Sequence, residues 1–209
     1  DDDMMRRGKA STWAEFGEDI GVLAGDALMM YAFETASCAF ETSVDPDELS
    51  RIGKAIGILA RKTGVYGMIG GQTVDVELAG GPIPADKLDF IYHLKTGALI
   101  EASMLIGAVL GGAADEDCKI VESLASKIGM AFQIQDDILD VTGSEEIIGK
   151  PVNSDEKNKK TTYVTLEGLE KAKQDVEKIS AEAIEELNKL PGNNDFLEQL
   201  IHLLIHRQK

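Results

Sequence analysis

The stretch Phe132-Gln133-Ile134-Gln135-Asp136-Asp137-Ile138-Leu139-Asp140 decides how the rest of the chain is read. It lies in a proline-free pattern from about Asp117 to Val141 that predicts one helix. At about 100° per residue, Gln133, Asp136, Asp137 and Asp140 fall within an arc of roughly 100°. Phe132, Ile134, Ile138 and Leu139 take the rest of the circumference, so the helix is expected to be buried on most sides and open on one. Three carboxylates crowded on the open side repel one another unless a cation neutralises them. Oxygen ligands without His or Cys suit Mg²⁺, which keeps several waters and bridges carboxylates to substrate phosphates. A lone DDxxD reads equally well as a solvated acidic face. Its apolar flanks argue against that here.

Working outward, a second acidic cluster opens the chain: Asp1-Asp2-Asp3-Met4-Met5-Arg6-Arg7-Gly8-Lys9. An acidic run at a terminus is most often a disordered tail, and Arg6-Arg7 could be a surface pair balancing it. Directly followed by Arg-Arg-Gly-Lys, however, the run has the make-up of a site that holds metal and anion side by side. These two stretches, with His93-Leu94-Lys95-Thr96-Gly97 between them, resemble the trans-type polyprenyl diphosphate synthases. The resemblance is strongest to bacterial short-chain farnesyl and geranylgeranyl diphosphate synthases. It runs from the first residue to the last few, and the motif order is highly specific. One departure stands out: the family's first acidic motif begins with two aspartates a few residues upstream of Asp1. Asp1 matches the last aspartate of that motif. The chain is therefore expected to be one polyprenyl synthase domain, 1–209, without its N-terminal helices.

Composition bounds the alternatives. A chain of 209 residues with 44% hydrophobic content is long enough for a substantial core. The net charge of −16 argues against nucleic-acid or anionic-membrane binding by the overall field. Cys38 and Cys118 lack metal-ligand spacing and read as free, reduced, buried thiols, which fits a cytoplasmic protein. The most apolar stretch, Ala102–Ala114, is thirteen residues long, too short for a stable membrane insertion and suited to a core helix or subunit interface.

Every long segment reads as helix. Trp13–Phe40 has helical apolar spacing with Ser11 or Thr12 as N-cap, and Met29, Met30, Tyr31 and Phe33 read as core. Gly21 and Gly25 either admit a close helix or are simply tolerated. Asp45-Pro46-Asp47 starts Pro46–Gly67, Gly67–Gly71 breaks the pattern, and Ala85–Leu110 resumes it. Gly143–Lys160 reads as a long lysine-rich loop, expected to act as a lid. Thr165–Leu190 and Asp195–Arg207 complete the chain as helices, and His93, His202 and His206 read as helix-surface residues. The pattern predicts an all-α bundle. The resemblance makes it an isoprenoid synthase helical bundle around a deep central cavity.

The resemblance also implies roles. A short-chain prenyltransferase condenses dimethylallyl or geranyl diphosphate with isopentenyl diphosphate after Mg²⁺-assisted ionisation of the allylic substrate. Three Mg²⁺ ions, replaceable by Mn²⁺, are implied at residues matching Asp1, Asp136 and Asp140. Lys95, Thr96, Gln133, Lys150 and Arg6 match residues that bind the allylic diphosphate, and Arg7 matches one that grips isopentenyl diphosphate. Asp137 is implied on the substrate side as a partner of these groups. Asp2 and Asp3 are implied in solvation or orientation. Gln72 and Asp75 match an element bordering the cavity, where Asp75 either orients Lys95 or binds a metal-bound water; Lys160 follows the flexible loop. Asn153 and Val164 depart from the Gly and Pro common at their positions, which bears on loop backbone rather than chemistry. The product implied is farnesyl diphosphate and the assembly a homodimer, with geranylgeranyl diphosphate as the alternative product. A terpene cyclase is disfavoured because Asn153-Ser154-Asp155-Glu156 has the wrong spacing for its second metal motif. A non-catalytic subunit has no need of Asp136, Asp140, Lys95, Arg6 and Arg7 together.

Overall fold

Asp45 shows how the sequence starts a helix in this chain. Its carboxylate accepts a hydrogen bond from the Asp47 amide at 2.8 Å, Pro46 takes the first helical position, and Asp47 and Glu48 follow in the first turn. The helix so begun, Pro46–Thr63, is the third of ten among the described residues. The structure is a computed structural model that describes residues 4–6, 8–143, 161–205 and 207. A two-residue hairpin of β1 (Met5–Arg6) and β2 (Lys9–Ala10) precedes α1 (Thr12–Phe16), α2 (Glu18–Ser37) and a 3₁₀ turn (Cys38–Glu41). After α3 (Pro46–Thr63) come α4 (Met68–Glu77), α5 (Ala85–Ile91), a π-helical turn (Tyr92–Gly97), α6 (Ala98–Leu110) and α7 (Asp115–Thr142). The last three helices are α8 (Tyr163–Glu167), α9 (Leu169–Leu187) and α10 (Asp195–Ile205). The described residues are all-α apart from the hairpin, as the pattern predicts.

The central member is α7. It lies between α6 on one side and α9 on the other, while α3 packs on α6 and α10 closes against α7 and α9. The main core joins Leu124, Ile128, Ile134 and Ile138 of α7 to Ala172, Val176, Ala183 and Leu187 of α9 and Ile201 and Ile205 of α10. Leu124, Ile134 and Leu187 are fully buried, each worth about 1.5–3 kcal/mol relative to exposure. A smaller cluster of Ile83, Leu88, Ile91 and Tyr92 packs beneath α4 and α8.

Several expectations need correction. Trp13–Phe40 is not one helix: Gly17 adopts φ 92° and separates α1 from α2, and a 3₁₀ turn follows. Gly168, at φ 85°, likewise splits the predicted Thr165–Leu190. The start of α8 moves forward because Thr162 and Thr165 form a reciprocal capping box. Helix α3 stops at Thr63, and Gly67–Gly71 forms the entry to α4 rather than a break. Cys38 is exposed and Cys118 half-buried, so neither is a core thiol. Met29, Met30 and Tyr31 are exposed as well, and α2 carries no buried residue. The continuous run Ala85–Leu110 is longer than the apolar stretch read from sequence. By length and composition alone it could cross a bilayer. Here its α6 portion lies between α3 and α7 and buries Glu101 against Lys62 at 2.5 Å.

Candidate active site

The π-turn is where the site begins. A π-turn carries one more residue than an α-turn, a geometry found mostly at functional sites. Two neighbouring backbones come very close to it. A Cβ on Gly71 would sit 2.8 Å from the Leu94 Cβ, and one on Gly129 would sit 2.7 Å from the Gly97 Cα. Glycine at 71 and 129 therefore lets α4 and α7 approach the turn, whereas a Cβ on Gly97 would meet only the Tyr92 carbonyl oxygen, at 3.3 Å. The sequence leaves open whether Gly97 serves a ligand or a partner helix; the structure puts helix α7 there.

From this turn a polar chain runs across three helices. Lys95 Nζ donates to Asp75 Oδ2 of α4 at 2.5 Å. The next residue, Thr96, donates to Gln133 Oε1 of α7 at 2.9 Å. Gln133 Nε2 donates to Asp137 Oδ1 at 3.3 Å, and Asp137 Oδ2 accepts from the Tyr163 amide of α8 at 2.8 Å. The Tyr92 hydroxyl also donates to Asp137 Oδ2. Tyr163 is fixed in turn by its hydroxyl, which donates to Asp175 at 2.8 Å. Burial and that bond push the Tyr163 phenol well above its ordinary pKa.

This arrangement corrects the reading of the acidic stripe as one open face. Asp137 is 4% exposed and Asp140 is 3% exposed, whereas the Asp136 side chain is 44% exposed. Asp137 is thus a buried, fold-bearing carboxylate that positions Gln133. Donors from Tyr92 and Tyr163 offset its desolvation, and those donors come from elements that helical periodicity within α7 cannot report.

Asp136 has a partner the sequence reading missed. Arg207, just beyond α10, places Nη2 3.0 Å from Asp136 Oδ1. Its guanidinium lies 3.7 Å over the Phe132 ring, and Nη2 also donates to the Phe132 carbonyl at 3.3 Å. Burial draws the Arg207 pKa below its ordinary value, against the opposing pull of Asp136. The available signal was an arginine ending an apolar helix, but nothing in the spacing links position 207 to position 136.

Among the described residues no three His, Cys, Asp or Glu side chains are grouped closely enough to hold a metal by themselves. The donors nonetheless suit a hard cation. Asp136 and Asp140 are carboxylates one turn apart on α7, and a guanidinium already stands as a cation at Asp136. Asp136 and Asp140 would hold such an ion, with water or phosphate oxygens completing its ligands.

The other predicted residues divide simply. Gln72 is exposed on α4, one turn before Asp75. Of Arg6 only the backbone is described, in β1. Asp1, Asp2, Asp3, Arg7, Lys150 and Lys160 lie outside the described residues, as does nearly all of the expected lid. His93 is exposed, as expected of a helix-surface residue, in the π-turn, with Nδ1 3.5 Å from Glu101 Oε1 and 3.2 Å from the Ser126 hydroxyl.

Comparison with known proteins bears on this arrangement. The polyprenyl synthetase family matches residues 1–202. The chain is 42% identical over 190 residues to the large subunit 1 of a heterodimeric chloroplastic geranylgeranyl pyrophosphate synthase of Arabidopsis thaliana, covering 90% of this chain and 51% of that protein. It is 40% identical over 174 residues to the farnesyl diphosphate synthase of Geobacillus stearothermophilus, covering 83% of this chain and 58% of that one. The chain thus spans about half the length of the curated relatives it matches. Among solved structures, a geranyltransferase from Helicobacter pylori complexed with magnesium and isoprenyl diphosphate superposes with a TM-score of 0.81 at 33% identity. That superposition covers 97% of this chain and 64% of that one.

Proposed function

The chain belongs to the polyprenyl synthetase family, and on that premise we propose that it condenses an allylic diphosphate with isopentenyl diphosphate. The observation that carries the proposal is the convergence at one end of α7. Lys95 held by Asp75, Thr96 bonded to Gln133, and the half-exposed Asp136 are gathered there from three elements. Lys95 supplies a compact cation with several donors for a diphosphate oxygen. Its ion pair with Asp75 fixes where that charge stands before substrate arrives. Thr96 and Gln133 orient each other, and Asp137 holds Gln133 from behind. Such preorganisation lowers the barrier of a reaction whose main task is to stabilise a departing anion. Mg²⁺, bound with Asp136 and Asp140 among its ligands, supplies Lewis-acid stabilisation to that anion.

For the product we propose farnesyl diphosphate, supported by the likeness to the Geobacillus stearothermophilus enzyme and to the solved geranyltransferase. Geranylgeranyl diphosphate is the second reading, favoured by the relatives of that name. The protein is further proposed to be a cytoplasmic homodimer. Its unpaired thiols and the unburied apolar helix α2 support those two assignments.

The test is incubation with radiolabelled isopentenyl diphosphate and dimethylallyl or geranyl diphosphate, with and without chelator. Metal-dependent formation of a fifteen-carbon product is expected. A twenty-carbon product shifts the assignment to the second reading, and full turnover in chelator rejects the mechanism. Absence of any condensation product in the presence of Mg²⁺ returns the chain to the non-catalytic class.

A further inference from the structure

Asp136 is the most exposed carboxylate of the acidic stripe, yet Arg207 covers one of its oxygens. The guanidinium is anchored at Phe132, one helical turn before Asp136, by ring stacking at 3.7 Å and a carbonyl contact at 3.3 Å. Only 17% of the Arg207 side chain is exposed, and its Nε is buried without a hydrogen-bond partner. The pose therefore combines one good ion pair with a buried donor left unsatisfied, which costs stability. Such a contact holds Asp136 while leaving the arginine easy to release.

We infer that Arg207 is an exchangeable counter-ion, neutralising Asp136 until a divalent cation displaces it. The inference rests on the reading of Asp136 as a metal ligand. A guanidinium 3.0 Å from Oδ1 and a divalent ion bound about 2.1 Å from the same oxygen would be no more than about 5 Å apart. Like charges so close repel strongly at the edge of a protein, so the two states exclude each other. Metal loading must then move Arg207 off Phe132 and Asp136. In this way the protein avoids a bare acidic stripe when metal is absent. The price is weaker metal binding.

Mn²⁺, followed by the loss of its free-ion electron paramagnetic resonance signal, is the probe. Titrations compare the unaltered chain with Arg207→Gln, at low ionic strength and without substrate. Arg207→Gln is expected to bind Mn²⁺ roughly two- to tenfold more tightly, the scale of a partly exposed ion pair. The same substitution in an Asp136→Asn background is expected to change nothing. Arg207→Lys keeps the charge without the planar stack and is expected to fall between, and it stands in if Arg207→Gln does not melt cooperatively. Equal or weaker Mn²⁺ binding by Arg207→Gln overturns the inference, as does an undiminished effect in the Asp136→Asn background. If neither the unaltered chain nor its variants bind Mn²⁺, even with inorganic diphosphate added, the metal reading of Asp136 fails and the inference falls with it. Affinity that is present but indifferent to position 207 is thereby told apart from affinity that is absent.

Discussion

Asp136 and Asp137 are adjacent in sequence and opposite in kind. Asp137 is buried and receives donors from Tyr92, Gln133 and the Tyr163 backbone, while Asp136 is half exposed and pairs with Arg207. Asp137→Asn turns an amide N–H₂ toward groups that are themselves donors, leaving at least one buried donor unpaired. The expected cost is about 1–3 kcal/mol of stability in urea unfolding. Asp136→Ala is expected to change stability by less than about 1 kcal/mol. It should nevertheless lower condensation by roughly a hundredfold or more. The reverse ranking in the unfolding experiment, or a loss of turnover below about tenfold for Asp136→Ala, refutes the division of labour. The sequence locates the stripe because carboxylates at helical spacing are visible in one stretch. It cannot tell which of them is buried. The answer depends on Tyr92, 45 residues earlier, and Tyr163, 26 residues later.

At the scale of elements, helix ends marked by side-chain chemistry are legible and those set by backbone angle are not. Asp45-Pro46 announces α3 because a carboxylate and a proline satisfy the first turn. Gly17 and Gly168 give no such notice, since glycine also occurs inside helices and only its φ marks the break. The π-turn is equally silent. Its six residues, Tyr92–Gly97, carry no side-chain chemistry that distinguishes i→i+5 from i→i+4 hydrogen bonding. The crossing of the π-turn with α7 makes a test of its importance. Gly129→Ala sets a Cβ 2.7 Å from the Gly97 Cα, which is backbone and cannot yield as a side-chain tip would. The variant is expected to lose about 1–3 kcal/mol and to weaken binding of the allylic diphosphate by moving Thr96 away from Gln133. Thermal unfolding and the Michaelis constant report the two effects. Stability equal to that of the unaltered chain shows that the helices are not held at that distance.

For the whole molecule, α2 is the outlying part. It buries nothing within the chain, and Ile20, Leu23, Leu28 and Met30 are 50% to 69% exposed along it. An exposed apolar helix of this kind marks an interaction site. With a second copy across it, light scattering should give about twice the 22.5 kDa of one chain. The melting temperature should rise with protein concentration, because association stabilises by mass action. A monomeric mass and a melting point independent of concentration reject the homodimer. The reach of Asp137 has a different consequence at this scale. Its donors arrive from the π-turn, from α7 and from α8, so the face proposed to bind diphosphate would exist only in a chain whose distant segments have met. Capture of a diphosphate is then also a certificate of correct folding. A resin bearing immobilised diphosphate should retain native chains and pass misfolded ones, sorting a library of variants without any separate reporter.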